Sequence, residues 1–254
     1  MFRGPAVTRK HRVRQASQLD SLQVVNVTWK KRMLVYAATL AIAGIVVGIA
    51  AFAVMMVKDR TYVPSPAYAP VGEPNRAIAV VYYSRSGHSE AVAREVARLF
   101  NAPIARIDAD YARDLAGQRK AVSDARADVL PHIVVEPIDL DPVRRIFLIS
   151  PTWMFRPATP LWAYVAQTDL AGKEVVLVTT GNSRFKQSET DAFAEQVEAH
   201  GGRFIRHVFL RRGRIYWQKS REELLQEVRT RMHELPPLAR PVASAALTST
   251  AEAS

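Results

Sequence analysis

Ala77-Ile78-Ala79-Val80-Val81-Tyr82-Tyr83-Ser84-Arg85-Ser86-Gly87-His88-Ser89 joins an apolar run to a hydroxyl-rich turn. Its first seven residues are apolar or aromatic without polar alternation, as expected of a strand buried on both faces. A hydroxyl-rich turn follows, and then a helix near 89–100 with Ala91, Val92, Val96 and Leu99 on one face. A serine-lined turn that leaves a buried strand and enters a helix N-terminus suits a phosphate. Its hydroxyls and amides satisfy anionic oxygens, and the helix end favours negative charge.

A second segment repeats the pattern. Ile146-Phe147-Leu148-Ile149-Ser150 reads as another buried strand, and Pro151-Thr152-Trp153 leaves it. The indole of Trp153 offers a flat apolar surface for a ring. Between and beyond these segments the chain alternates strand and helix. A short strand is expected at Ile104–Ile107, a polar helix over 112–129, a loop at Ile133–Ile138 and a helix over Pro157–Ala166. Strands follow at Glu174–Thr180 and Arg203–Leu210, separated by a helix at 188–199 that Gly201-Gly202 ends, and a helix at Arg221–His233 closes the series. The expected class is α/β, a doubly wound, five-stranded parallel sheet covered on both faces. Such sheets bind ligands beyond the carboxyl ends of their strands, where the winding reverses. Both motifs lie there.

The 254 residues provide ample material for a core. The absence of cysteine excludes disulfides, thiolate catalysis and zinc-thiolate sites. His11, His132, His200, His207 and His233 lack metal-ligand spacing and read as mostly surface residues, so no metal site is expected. No paired carboxylates and no Ser/His/Asp set with supporting context point to hydrolysis, and no catalytic side chain is assigned. The formal charge is +11, part of it in the first thirty-two residues.

Five stretches follow in order: a basic N-terminal arm over 1–32, an apolar span over 33–57, a proline-rich linker over 58–76, the α/β domain over 77–235, and a disordered tail over 236–254. Met33–Val57 holds no charged residue. As a helix it would rise roughly 37 Å, enough for a hydrocarbon core of about 30 Å. It exceeds the apolar core of a signal peptide and reads as one transmembrane helix in the cell membrane. Arg3, Arg9, Lys10, Arg12, Arg14, Lys30, Lys31 and Arg32 precede it, and only Lys58 and Arg60 follow closely. The positive-inside rule therefore puts the N-terminus in the cytoplasm and the domain outside. The side of the membrane that carries the domain stays open. The basic arm suits anionic headgroups better than nucleic acid, and no nucleic-acid partner is expected. Gly44 and Gly48 have the spacing through which membrane helices dimerise.

At this point the chain resembles the flavodoxin family over roughly 77–233. The family's phosphate turn has a hydroxyl-x-hydroxyl-Gly-x-hydroxyl pattern, matched by Ser84, Ser86, Gly87 and Ser89, with Arg85 and His88 between them. Pro151-Thr152-Trp153 is similar to the segment that flanks the isoalloxazine, with Phe155 as an adjacent candidate. Thr179-Thr180-Gly181-Asn182 resembles the loop whose backbone approaches the ring edge. The resemblance implies non-covalent binding of flavin mononucleotide (FMN) and electron transfer. The membrane anchor and the basic loops described next add the expectation of an oxidoreductase acting on a quinone or other acceptor, with NAD(P)H as reductant, or of a carrier docking a redox partner protein. The alternative is a flavin-free interaction module of the same fold, tethered to the membrane.

The chain departs from the acidic flavin surroundings of electron-carrier flavodoxins. Arg85, Arg156, Arg184 and Lys186 occupy the equivalent loops, and Arg211, Arg212 and Arg214 follow the fifth strand. Cations near the ring favour its reduced, anionic form. A less negative reduction couple is therefore expected.

Overall fold

A computed structural model describes residues 8–213 and 217–238, with side chains from Trp29 on except at 55 and 58–60. Expectations for 1–7, for Arg214, for the tail beyond 238 and for the side chains of the basic arm before Trp29 lie outside the described residues. The chain divides into two compact units, Met1–Met56 and Val57–Ser254.

The first unit is helical throughout its described length. Helix α1, Thr8–Arg60, takes in most of the expected basic arm as well as the apolar span and the first residues of the expected linker. Trp29–Val54 is long and apolar enough to cross a membrane, and none of it is buried. Its apolar side chains, among them Leu34, Leu40, Ile45 and Ile49, lie open. At its end Thr61 donates both its N–H and its hydroxyl to the Val57 carbonyl, each at 2.8 Å.

In the second unit the elements alternate as the apolar runs require. They are β1 (Ile78–Tyr82), α2 (His88–Phe100), β2 (Ile104–Ala109), α3 (Leu115–Ala127), β3 (Ile133–Val135), β4 (Arg145–Trp153), β5 (Arg156–Pro157), α4 (Thr159–Gln167), β6 (Glu174–Gly181), α5 (Gln187–Ala199), β7 (Arg203–Arg211) and α6 (Arg221–His233). Five parallel strands stand in the order β2-β1-β4-β6-β7. Counted along the parallel strands alone this is 2-1-3-4-5, the flavodoxin-like doubly wound order, with its switch point between β1 and β4. The expected fold class therefore holds. Two short antiparallel strands extend it: β3 on the free edge of β2, and β5 hairpinned onto β4.

β3 falls where a loop was expected. Only three residues pair, between Pro131 and Pro137, so the strand is too short to show alternation. Every residue of β1 and β6 is buried, each large aliphatic adding roughly 1.5–3 kcal/mol. Alternate side chains divide two cores. Val80, Phe147 and Val176 meet Val92, Val96, Leu224 and Val228 of α2 and α6. Val81, Leu148 and Leu177 meet Leu161, Val165, Phe193 and Val197 of α4 and α5.

The proline-rich stretch is not a free linker. Residues 61–76 form a strap along α2. Tyr68 donates to the Ala97 carbonyl at 2.9 Å, and Arg94 donates to the Ser65 and Pro66 carbonyls. Asn101 accepts from Val71 N–H at 2.8 Å and donates to the Val71 and Glu73 carbonyls. Prolines keep the strap extended and leave carbonyls that arginine and asparagine can reach. The expected tail is likewise anchored at its start. Arg145 donates to the carbonyls of Pro236 and Pro237 at 2.9 and 3.3 Å.

Candidate functional site

The serine turn stands where the first apolar run predicts it, between β1 and α2. Tyr83 N–H donates to Ile149 O at 2.9 Å, still in register with β4, before the chain turns. Gly87 is the N-cap of α2 with φ 87°, a left-handed conformation open to glycine at little cost. The Gly87 N–H donates to Ser84 Oγ at 3.1 Å, so the first serine shapes the turn from within. Ser84 and Ser89 are buried, while Arg85, Ser86 and His88 are half-buried. Arg85 reaches across to the Ala112 and Asp114 carbonyls, the nearer at 2.6 Å. Glu90, in the first turn of α2, would oppose an anion, but its carboxylate is paired with Arg94 at 2.7 Å and accepts from the Tyr62 hydroxyl.

The second segment ends β4 rather than forming a loop. Thr152 pairs with Pro157 and Trp153 with Arg156, leaving Met154 and Phe155 as a two-residue turn. Both have positive φ, 51° and 72°, as the twist of a tight hairpin demands. Neither is glycine, so the turn carries backbone strain of the kind that collects at ligand sites. The Trp153 indole is half-buried, and two tyrosines fix it edge-on: Tyr83 at 5.4 Å and Tyr111 at 5.3 Å between ring centroids. The Tyr111 hydroxyl is itself held by Asp124 and Thr159. Burial pushes the Tyr83 phenol up and that of Tyr111 up to about 12, so both stay protonated at neutral pH.

Thr180 and Gly181 belong to β6, and the third loop begins at Asn182. A Cβ at Gly181 would sit 2.3 Å from Thr152 Oγ1 and 2.9 Å from the Phe209 ring. Glycine is thus required there by packing within the protein. The three segments are tied to one another. Ser89 Oγ and Thr180 Oγ1 share a hydrogen bond of 2.9 Å, and the Thr152 hydroxyl lies 3.5 Å from the Thr180 carbonyl. Lys186 N–H donates to Phe155 O at 2.8 Å, and the Arg184 guanidinium lies over the Phe155 ring at 5.1 Å. The sites read from the sequence therefore converge at the exits of three adjacent strands, β1, β4 and β6.

The basic rim is reduced by internal pairing. Arg156 is bound to Asp128 and Glu189 and lies over Trp162. Arg212 is buried. Arg184, Lys186 and Arg211 remain exposed. His207 is half-buried. It stands on β7 with Nε2 2.7 Å from Thr179 Oγ1, Nδ1 3.3 Å from Thr190 Oγ1, and the Phe185 ring at 4.5 Å. Burial lowers its pKa to about 4. Among the described residues no His/Asp/Glu group could hold a metal ion.

Four features of the site were missed in the sequence: the framing tyrosines, the strained turn, the half-buried His207 and the docked strap. Only Tyr83 and Tyr111 left a signal, as aromatic residues at strand exits.

No family model and no curated protein matches the chain. Solved structures do. A flavoprotein in complex with FMN from Lactobacillus acidophilus is 20% identical over 52% of this chain and 91% of its own, with a TM-score of 0.47. A flavodoxin from Streptococcus pneumonia is 15% identical over 62% and 99%, at 0.34. Oxidised flavodoxin 2 from Bacillus cereus is 16% identical over 62% and 99%, at 0.35. The chain thus covers nearly the whole length of each.

The residues present fit a flat ring bearing a phosphate monoester. Gly87 in its left-handed conformation and the Ser84, Ser86 and Ser89 hydroxyls stand together at the start of α2, where they would offer an anion cradle. The strained Met154–Phe155 turn and the braced indole stand on the neighbouring strand exit.

Proposed function

We propose that the protein binds FMN non-covalently and transfers electrons at a membrane, as an oxidoreductase acting on a quinone or another acceptor. The observation that carries this is the convergence of the serine turn, the Trp153 hairpin and the Thr180–Asn182 segment around the β1/β4 switch point. Ser84, Arg85, Ser86, Gly87, His88 and Ser89 would hold the phosphate. Pro151, Thr152, Trp153, Phe155, Thr180, Gly181 and Asn182 would flank the ring. When bound, FMN supplies the redox chemistry; the chain binds and orients it and sets the local charge. Trp153, braced by Tyr83 and Tyr111, keeps water from one side of the ring. The exposed cations Arg184, Lys186 and Arg211 favour a negative charge nearby. The apolar helix supports a single-pass anchor, which concentrates the site near acceptors dissolved in or bound to the bilayer. A dimer through Gly44 and Gly48 fits the small-residue spacing.

Purification from cells tests the proposal. The protein is expected to be yellow and to release FMN on denaturation. A colourless protein that takes up no added FMN would leave the tethered, flavin-free interaction module. Steady-state oxidation of NADH or NADPH, with and without a soluble quinone, then separates enzyme from carrier.

A further inference from the structure

The strap begins on the phosphate turn itself. Val63 N–H donates to Ser86 O at 3.1 Å, and the Val63 carbonyl lies where a side chain on Gly87 would begin: a Cβ there would be 2.0 Å from Val63 O. One residue earlier, the Tyr62 hydroxyl donates to the Glu90 carboxylate, and the Arg113 guanidinium lies over the Tyr62 ring at 4.2 Å. On the other side, Arg221 of α6 donates to the Val63 and Pro64 carbonyls and to Ser65 Oγ, each within 3.1 Å. Residues 62–65 are therefore clamped from α2, from the β2–α3 loop and from α6. Their backbone forms one wall of the turn that Gly87 shapes.

We infer that Tyr62 and Val63 are positioning residues for the phosphate of FMN, so that the segment just after the apolar helix sets how tightly the flavin is held. The inference rests on the FMN site proposed above. Ser86 and Gly87 have few internal supports. Gly87 N–H is held by Ser84 and Gly87 O by Ala91 N–H, while Ser86 O is held by Val63. Without Val63 the Ser86–Gly87 peptide loses a partner on its outer side and can rotate, and the hydroxyl of Ser86 rotates with it. Tyr62 acts one residue away, because it steers the Glu90 carboxylate away from the anion cradle and toward Arg94. Coupling of this kind is reciprocal. Whatever loosens the strap at Tyr62 and Val63 weakens phosphate binding, and bound phosphate stiffens that end of it.

The far end of the strap supplies the control. Tyr68 binds the Ala97 carbonyl well along α2, away from the turn. The test uses the full chain in detergent, titrated with FMN and separately with riboflavin, which lacks the phosphate. Flavin fluorescence gives the affinities, and thermal unfolding monitors folding. Val63→Pro removes the N–H that Ser86 O accepts; Tyr62→Phe removes only the hydroxyl. Both are expected to weaken FMN binding by roughly tenfold, the loss of one well-placed hydrogen bond in a charged site, and to leave riboflavin binding unchanged. Tyr68→Phe should lower the unfolding temperature without changing either affinity.

Equal weakening toward FMN and riboflavin, or no change in FMN affinity for a folded Tyr62→Phe protein, overturns the inference. Should Val63→Pro fail to fold, Tyr62→Phe decides alone. Failure of the wild-type chain to bind FMN would instead overturn the function proposed above, a separately readable result.

Discussion

Gly87 meets two demands that no other residue type satisfies together. Its φ of 87° lies in the left-handed region, and the space beside its Cα is filled by the Val63 carbonyl. Gly87→Ala is expected to cost roughly 1–3 kcal/mol from the backbone conformation alone. FMN affinity should fall with it, because the turn must open to admit a methyl group. Urea unfolding and a flavin titration of the variant check both effects. His207 gives a prediction of a different kind. Its folded pKa of about 4 lies below the ordinary 6.5, so the unfolded chain takes up a proton first as pH falls. Stability from this residue is full above about pH 6.5 and is lost as pH drops toward 4, by about 2 kcal/mol at pH 5. His207→Gln should remove that part of the acid dependence, read as a flatter change in urea midpoint between pH 8 and pH 5. An unchanged slope would place the acid sensitivity elsewhere.

Among the elements, the ends of the strands opposite the site carry a buried charge cluster. Arg145 at the start of β4 and Glu174 at the start of β6 are both buried, 2.7 Å apart at the guanidinium Nε, and Arg203 of β7 closes on the same carboxylate. Glu174→Gln leaves the Arg145 charge buried without its counterion and is expected to cost about 3–5 kcal/mol. FMN affinity of the folded fraction should not change, since the cluster lies at the other end of β6. Denaturant unfolding alongside flavin titration separates the two. Elements were legible wherever the signal was local. The apolar runs of β1, β4 and β6 and the serine turn stand where their residues place them, while Trp153 closes β4 instead of lying in a loop beyond it. What stayed hidden depends on partners distant in sequence. The strap reads as a spacer, because its prolines announce extension and its contacts run through backbone carbonyls. β3 is too short to show a period. His207 sits on a strand that slips register opposite Val175 and Val176, which blurs its inside and outside. Met154 and Phe155 carry no turn signature, since asparagine or glycine normally fills such positions.

For the whole molecule, charge and anchoring set the expectations. Part of the basic rim is neutralised from within, Arg156 by two carboxylates, so the field at the proposed ring site should come mainly from Arg184 and Arg211, with a smaller share from Lys186, whose Nζ lies 4.0 Å from Glu189. Arg184→Glu combined with Lys186→Glu is expected to make the flavin's reduction potential more negative, by an amount on the order of tens of millivolts at low salt. A potentiometric titration at two ionic strengths reads both the shift and its screening. The apolar helix predicts that the full chain partitions with membranes and resists extraction by high salt or carbonate, whereas a chain starting at Val57 does not. The redox function depends on one claim, that the serine turn holds the phosphate of a flavin. The most direct measurement is a fluorescence titration of FMN with the purified chain, repeated with Ser86→Ala and Ser89→Ala. Saturable quenching at one FMN per chain is expected, with affinity reduced in both variants. FMN fluorescence unchanged by the wild-type chain, or quenching indifferent to both serines, would contradict it.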